Sequence, residues 1–228
     1  MLAEASGRSI REVLPLLQRL RRQYEPQSVL SQPKGRLALP KGLNALSEAH
    51  KHYLTKRGYT WQELERLWGL KGISIAPRLQ WRVWIPIQHR GRTVSWTTRS
   101  VSDAVTTRYI SARPDEEEIP HRQLLFGADY CRHAAIITEG PFDAMRIGPG
   151  AVATFGISVT RKQTALLSKY PLRVVCFDSE PKAQRAAMVL FALLGTFPGR
   201  TVRVELNAAD PGSASKREID KLREEFLR

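Results

Sequence analysis

The sequence predicts an α/β protein: a parallel sheet flanked by helices in the C-terminal part, preceded by a smaller α+β subdomain. Three observations carry this prediction. From Ala134 onward, short apolar runs alternate four times with helical segments, and parallel strands need a crossover of a dozen or more residues, commonly a helix. Between residues 80 and 112 the period shortens to two, as in antiparallel strands joined by a tight turn. The length, 228 residues with 42% hydrophobic and 25% charged, is enough to bury a core without staples. The expected boundaries are a basic N-terminal helix and linker over 1–43, the α+β subdomain over 44–130, and the parallel-sheet domain over 131–228.

The first element is a helix from Ser9 to about Tyr24. Ser9 and Glu12 make a capping box, and Ile10, Val13, Leu14, Leu17 and Leu20 recur at helical spacing. The Pro- and Gly-rich run PQSVLSQPKGRLALPKG then reads as a solvated linker carrying Lys34 and Arg36. Residues 44–70 hold two short helices, the first closed by Gly58 and the second opened by Thr60 with Glu63 as its capping partner. His50 and His52 are two apart, which does not place them on one helical face for a shared metal. Trp81, Val83 and Ile85 alternate with Arg82, Trp84 and Pro86 in a strand, His89–Arg92 turns, and TVSWTTRSV returns. TTRYISA is a third strand, and the acidic run Asp115–Glu118 is a solvated loop. All five tryptophans lie between 61 and 96, where most fill the core of a small sheet.

In the last domain AAIIT, AVATFG, RVVCF and TVRVEL are the strands. Helices follow over Phe142–Ile147, over Thr160–Lys169 with Thr160 and Gln163 as capping box, from Pro181 to Gly195, and from a Ser215–Glu218 cap. Cys131 and Cys176 are the only cysteines, too few for a disulfide framework or a four-cysteine zinc site. No run reaches the ~20 apolar residues of a membrane span, and the opening residues carry no apolar segment with a cleavage site. The expectation is a chain of the reducing cytoplasm with no membrane partner. The 36 Lys+Arg against 22 Asp+Glu leave a net charge of +14, which points to a polyanionic partner, nucleic acid first.

Sites in parallel sheets form at the carboxyl ends of strands, and five acids fall there. Glu139 follows the first strand and Asp143 comes four residues later. Asp178 follows the third strand with Glu180 two residues on, and Asp210 follows the fourth. Carboxylates packed together raise one another's pKa unless a cation lies between them. Oxygen donors alone favour a hard divalent ion, Mg²⁺ or Mn²⁺, and such an ion accepts phosphate oxygens in phosphoryl transfer.

The order Thr138-Glu139-Gly140-Pro141-Phe142-Asp143, then Phe177-Asp178-Ser179-Glu180, resembles the TOPRIM fold of primases, topoisomerases and some nucleases. Upstream, HYLTKRGYTWQELERLWGL and WRVWIPIQHRGRTVSWTTRS are similar to the opening of the RNA-polymerase core of bacterial and phage replicative primases. The resemblance implies primer synthesis on a single-stranded DNA template from ribonucleoside triphosphates. It implies that Glu139, Asp178, Glu180 and Asp210 hold metal, that Asp143 supports them, and that Glu139 is a ligand or general base. Arg99, Arg108, Tyr109 and Arg122 stand where the resemblance implies contacts to template or nucleotide. Three positions depart from the family pattern: Glu180 replaces an aspartate, Ala183 a glycine and Ala209 a basic residue. The chain carries no cysteine module for zinc, so template choice is expected from a replicative helicase or a separate zinc-binding protein. A TOPRIM nuclease and a non-catalytic DNA-binding replication module are the alternatives.

Overall fold

The computed structural model describes residues 35–102 and 105–228, together with Pro15 and Arg19. The helix expected over Ser9–Tyr24 and the linker up to Lys34 otherwise lie outside the described residues. The described chain forms two compact units, one ending at Asp129 and the other covering Tyr130–Arg228. No helix among the described residues is long and apolar enough to cross a membrane.

The first unit is a five-stranded antiparallel sheet in chain order: β1 (Leu43–Asn44), β2 (Lys71–Ile73), β3 (Arg82–His89), β4 (Arg92–Ser100) and β5 (Tyr109–Ser111). Helices α1 (Glu48–Lys56) and α2 (Trp61–Trp68) lie between β1 and β2. The β3–β4 turn uses Arg90 and Gly91 at φ of 54° and 73°, and the Asp129 carboxylate accepts from both of their amides at 3.1 and 2.8 Å. The expected alternation along β3 does not sort inside from outside, because every residue from Arg82 to Ile87 is buried. Val83, Ile85 and Ile87 are enclosed on one face, and Trp84 packs with Trp96 on the other. Trp68 is buried as well, whereas Trp81 is partly exposed at φ 53°.

The two helices of this unit start in different ways, and the second departs from the expected capping box. In α1 the Ser47 hydroxyl lies 2.6 Å from His50 Nδ1, and the Ser47 amide donates to the same nitrogen at 3.3 Å. His50 is fully buried, and that burial lowers its pKa. A Cβ on Gly72 of β2 would come within 2.9 Å of the His50 ring, so glycine is required there. In α2 Thr60 is the N-cap but makes no side-chain bond to Glu63.

Two loop expectations are corrected. Residues 35–42 are tied to the sheet: Leu37 packs on the Trp84–Trp96 cluster, and Trp96 Nε1 donates to the Ala38 carbonyl at 2.9 Å. A buried indole N–H needs an acceptor, and this stretch supplies it. The run Asp115–Glu118 is not simply solvated. Glu116 takes two bonds from Arg78 at 3.0 and 2.7 Å, and Glu118 pairs with Arg92 at 3.0 Å. Glu117 is only 4% exposed and accepts from Ser95 Oγ at 2.6 Å and the His121 amide at 2.9 Å, with His121 Nδ1 at 3.0 Å. Burial alone would push its pKa up; the bonds from His121 and Ser95 outweigh that and hold it below the ordinary value.

The second unit matches the predicted alternation: β6 (Ala134–Thr138), α3 (Pro141–Ile147), β7 (Ala151–Ala153), α4 (Arg161–Leu167), β8 (Leu172–Val175), α5 (Pro181–Leu194), β9 (Arg200–Arg203) and α6 (Lys216–Phe226). The four strands are parallel in the order β7-β6-β8-β9. Ile136, Ile137, Val174 and Val175 are fully enclosed, as expected of a sheet covered on both faces. The Thr160–Gln163 box forms reciprocally at 3.2 and 3.0 Å, and Ser215 Oγ accepts from the Glu218 amide at 3.3 Å. Cys176 is buried, and that burial pushes its thiol up to about 12.

Candidate active site

The strand order fixes where a site can form. The chain leaves β6 toward β7 on one side and leaves β8 toward β9 on the other. Right-handed crossovers therefore send the two following helices to opposite faces, opening a crevice at the carboxyl ends of these neighbouring strands. Glu139 follows β6 directly, and Asp178 lies three residues past β8. They meet across the crevice: Glu139 Oε1 accepts from the Asp178 backbone amide at 3.1 Å.

Asp178 is the most perturbed acid here. Its Oδ1 is buried and makes no hydrogen bond. Burial first, then the charges of Asp143, Glu139, Asp210 and Glu180, push its carboxyl up to about 8. Burial likewise raises Glu139, the Asp178 amide opposes this, and Asp143, Glu180 and Asp210 add to it. Asp143, Glu180 and Asp210 thus all act electrostatically on Glu139 and Asp178.

Their contacts differ. Asp143 is committed to the backbone: Oδ2 accepts from the Gly140 amide at 3.0 Å and Oδ1 from the Gly212 amide at 3.1 Å. That makes it a positioning group for the Glu139 turn rather than an open ligand. Asp210 caps the 3₁₀ turn Pro211–Ser213 through Oδ1, which accepts from the Ser213 amide at 2.7 Å. Glu180 is the exposed N-cap residue of α5 and makes no side-chain capping bond. Gln184, which the sequence reading missed, braces the end of β8: its Nε2 donates to the carbonyls of Asp178 at 2.8 Å and Phe177 at 3.2 Å. Arg203 from β9 in turn donates to Gln184 Oε1 at 2.6 Å. The available signal was a lone amide in the first turn of a helix whose inward positions are otherwise apolar.

Among the described residues no three His, Cys, Asp or Glu side chains are gathered closely enough to form a ready-made metal cage. A hard divalent ion does not need one, since Mg²⁺ keeps several waters and is commonly held by one or two carboxylates plus substrate phosphates. The donors are all oxygen, one buried oxygen lacks a partner, and the carboxylates destabilise each other's charge. This donor set fits such an ion.

The predicted cationic residues all lie in the first unit. Arg99 on β4 is 9% exposed, donates through Nε to the Tyr53 hydroxyl at 3.1 Å and stacks over the Tyr109 ring at 5.0 Å. Arg108 is exposed, and its carbonyl is held by Arg82 at 3.1 Å. Arg82, unassigned from sequence, is buried and also donates to the Thr107 carbonyl at 2.6 Å, so it supports the Arg108 segment. Arg122 sits half-buried in the 3₁₀ turn His121–Gln123, and burial lowers its pKa. That turn is anchored by buried Glu117 through His121.

No family model matches the chain. It is 30% identical over 130 residues to a DNA primase of Thermotoga maritima, covering 52% of this chain and 23% of that protein. It is also 30% identical over 125 residues to a DNA primase of Aquifex aeolicus, covering 50% of this chain and 25% of the relative. The matched region is therefore about a quarter of either relative's length. Among solved structures, the zinc-binding and RNA polymerase domains of the Aquifex aeolicus primase superpose with a TM-score of 0.64 at 22% identity, covering 78% of this chain and 55% of that one. The DnaG catalytic core gives 0.60 at 19% identity, covering 78% and 73%. The primase fragment of the bacteriophage T7 primase-helicase protein gives 0.55 at 15%, covering 85% and 82%. The fold is that of these primase catalytic cores.

Proposed function

We propose that this chain, a homologue of bacterial DNA primases with the fold of their catalytic cores, is a DNA-directed RNA polymerase core that makes short RNA primers on single-stranded DNA. The observation that carries the reading is the buried, unpartnered Asp178 Oδ1 beside Glu139 at the carboxyl ends of β6 and β8. Glu139 and Asp178 would hold Mg²⁺ or Mn²⁺, with Asp210 and Glu180 completing the set as substrate phosphates arrive. A bound divalent ion supplies neutralisation of the triphosphate and of the departing pyrophosphate.

The chain's own residues do the rest. Asp143 and Gln184 hold the two strand-end turns in register. Glu139 would serve either as a ligand of the ion or, where it is not one, as the base that accepts the proton of the attacking 3′-hydroxyl. In the first unit, Arg99, Arg108 and Arg122 supply charge-assisted bonds to phosphate, with Tyr109 as the aromatic support of Arg99. A replicative helicase or separate zinc-binding protein would supply template choice, and the working compartment is the cytoplasm.

The test is a de novo synthesis assay with single-stranded DNA, ribonucleoside triphosphates and Mg²⁺ or Mn²⁺. Extension products are expected, and Glu139→Gln should abolish them while leaving DNA binding intact. Shortened DNA in place of extension would make this a nuclease; DNA binding with neither product would make it a binding module.

A further inference from the structure

We infer that Arg146 is a positioning residue for the metal site, acting through the Gly212 carbonyl on the turn that Asp210 caps. The inference rests on the metal reading above and concerns a residue outside the carboxylate set. Asp143 and Arg146 lie three apart, on one face of α3. Together they hold Gly212 on both sides, one at the N–H of the Pro211–Gly212 peptide and the other at the C=O of the Gly212–Ser213 peptide. Asp143 Oδ1 accepts from the Gly212 amide at 3.1 Å, while Arg146 donates to the Gly212 carbonyl through Nε at 3.1 Å and Nη2 at 3.0 Å.

Gly212 belongs to the 3₁₀ turn that Asp210 caps, and Pro211 and Gly212 are buried within it. The other flank of Asp210 is fixed too, because the Ala209 carbonyl accepts from the Ser179 amide at 2.8 Å. Asp210 is thus strung between two anchors, one on the Asp178 turn and one on α3. Its Oδ1 is committed to the Ser213 amide, which directs the carboxylate. Asp143 alone cannot set this loop, since a carboxylate only accepts: it holds the Gly212 N–H and leaves the carbonyl of the next peptide to another group. The guanidinium closes the carbonyl side with two donors on one oxygen. Without it the Gly212–Ser213 peptide loses its hold on α3, and the turn that directs the Asp210 carboxylate keeps only the Gly212 N–H and the Ser179–Ala209 bond as anchors.

The experiment is direct Mn²⁺ binding by electron paramagnetic resonance on the full chain, in a double-mutant cycle. Arg146→Ala is expected to weaken Mn²⁺ binding about tenfold, the scale of losing a residue that orients a ligand. In an Asp210→Asn background the same substitution is expected to cause no further loss, because its route is gone. Arg146→Lys, which keeps the charge and a single donor, should lose about threefold, again only with Asp210 present; it carries the test should the alanine variant fail to fold. Equal loss in both backgrounds, or unchanged affinity in Arg146→Ala, overturns the inference while leaving the metal reading in place. A wild-type chain that binds no Mn²⁺ overturns the metal reading itself, and this inference with it.

Discussion

Glu117 in the antiparallel unit and Asp178 in the parallel unit both carry carboxylate oxygens withdrawn from solvent, yet their surroundings are opposite in kind. Glu117 receives donors from Ser95 and His121, and its pKa lies below the ordinary value. Asp178 has one buried oxygen with no donor and four acidic neighbours, and its pKa is pushed up to about 8. A buried charge is stable only where hydrogen bonds or counter-charge replace the lost water. Glu117 is therefore a structural group whose needs the fold meets. Asp178 is a group whose needs the fold leaves unmet, which is what a residue awaiting a cation and phosphate looks like.

The sharpest way to break this comparison is to neutralise each acid. Asp178→Asn is expected to lower primer synthesis more than about a hundredfold, since on the proposed function it removes a ligand rather than a residue behind one. The same change should leave the thermal midpoint of the metal-free chain at pH 8 unchanged or higher, because it discharges a repulsive cluster. A lower midpoint at pH 8 would mean that Asp178 is structural after all. Glu117→Gln should do the reverse. It weakens charge-assisted bonds inside a packed unit, a loss of about 2 kcal/mol in stability. All five tryptophans lie between 61 and 96, in the first unit, so their fluorescence during denaturation reads this loss directly.

The two units were also unequally readable from sequence. The parallel unit announced itself because β6, β7 and most of β8 are short, largely apolar and buried runs, and because α4 and α6 begin at side-chain caps that span three residues. Its acids were readable because strand ends are where such sheets place sites. What was hidden there is carried by side-chain bonds to distant backbone. Asp143 reaches Gly212 across 69 positions and Arg203 reaches Gln184 across 19, and no periodicity marks either. In the antiparallel unit β1 and β2 are two and three residues long and β2 contains a glycine, so no alternation could show them. The acidic run was misread for a similar reason. Arg78, Ser95 and Arg92, which receive its carboxylates, lie 22 to 38 residues away.

A smaller effect separates two arginines of the first unit. Arg108 is exposed and Arg82 is buried with its guanidinium on the Thr107 and Arg108 carbonyls. Arg108→Ala is expected to weaken single-stranded DNA binding a few-fold and to reduce the salt slope by about 0.7, one phosphate contact. Arg82→Ala should instead lower the unit's thermal midpoint by removing the two bonds that a buried guanidinium makes to the Thr107 and Arg108 carbonyls. Titration of binding at several salt concentrations checks both; an unchanged slope for Arg108→Ala would remove that residue from the nucleic-acid surface.

The most direct reading of the comparison is in pH, because the two units should respond to it with opposite signs in the absence of metal. In the second unit Asp178 has a folded pKa of about 8 against an ordinary 3.8. Between these values the folded state binds more protons than the unfolded one, so stability falls as pH rises and levels off above about 8. In the first unit burial lowers the pKa of His50 below 6.5, and its neutral form is the folded one. Its contribution is present above pH 6.5 and is lost as pH falls below that value; the contribution of Glu117, depressed from 4.5, is lost at still lower pH. Hydrogen exchange between pH 8 and 5 in the presence of a chelator, corrected for the intrinsic chemical rate, should therefore show protection rising in β8 and falling in β3. Replacing the chelator with Mg²⁺ should flatten the β8 trend, since a cation beside Asp178 keeps it ionised across the range. Parallel trends in both strands, or a β8 trend indifferent to Mg²⁺, would mean that Asp178 does not stand in the unsatisfied field from which its role is argued.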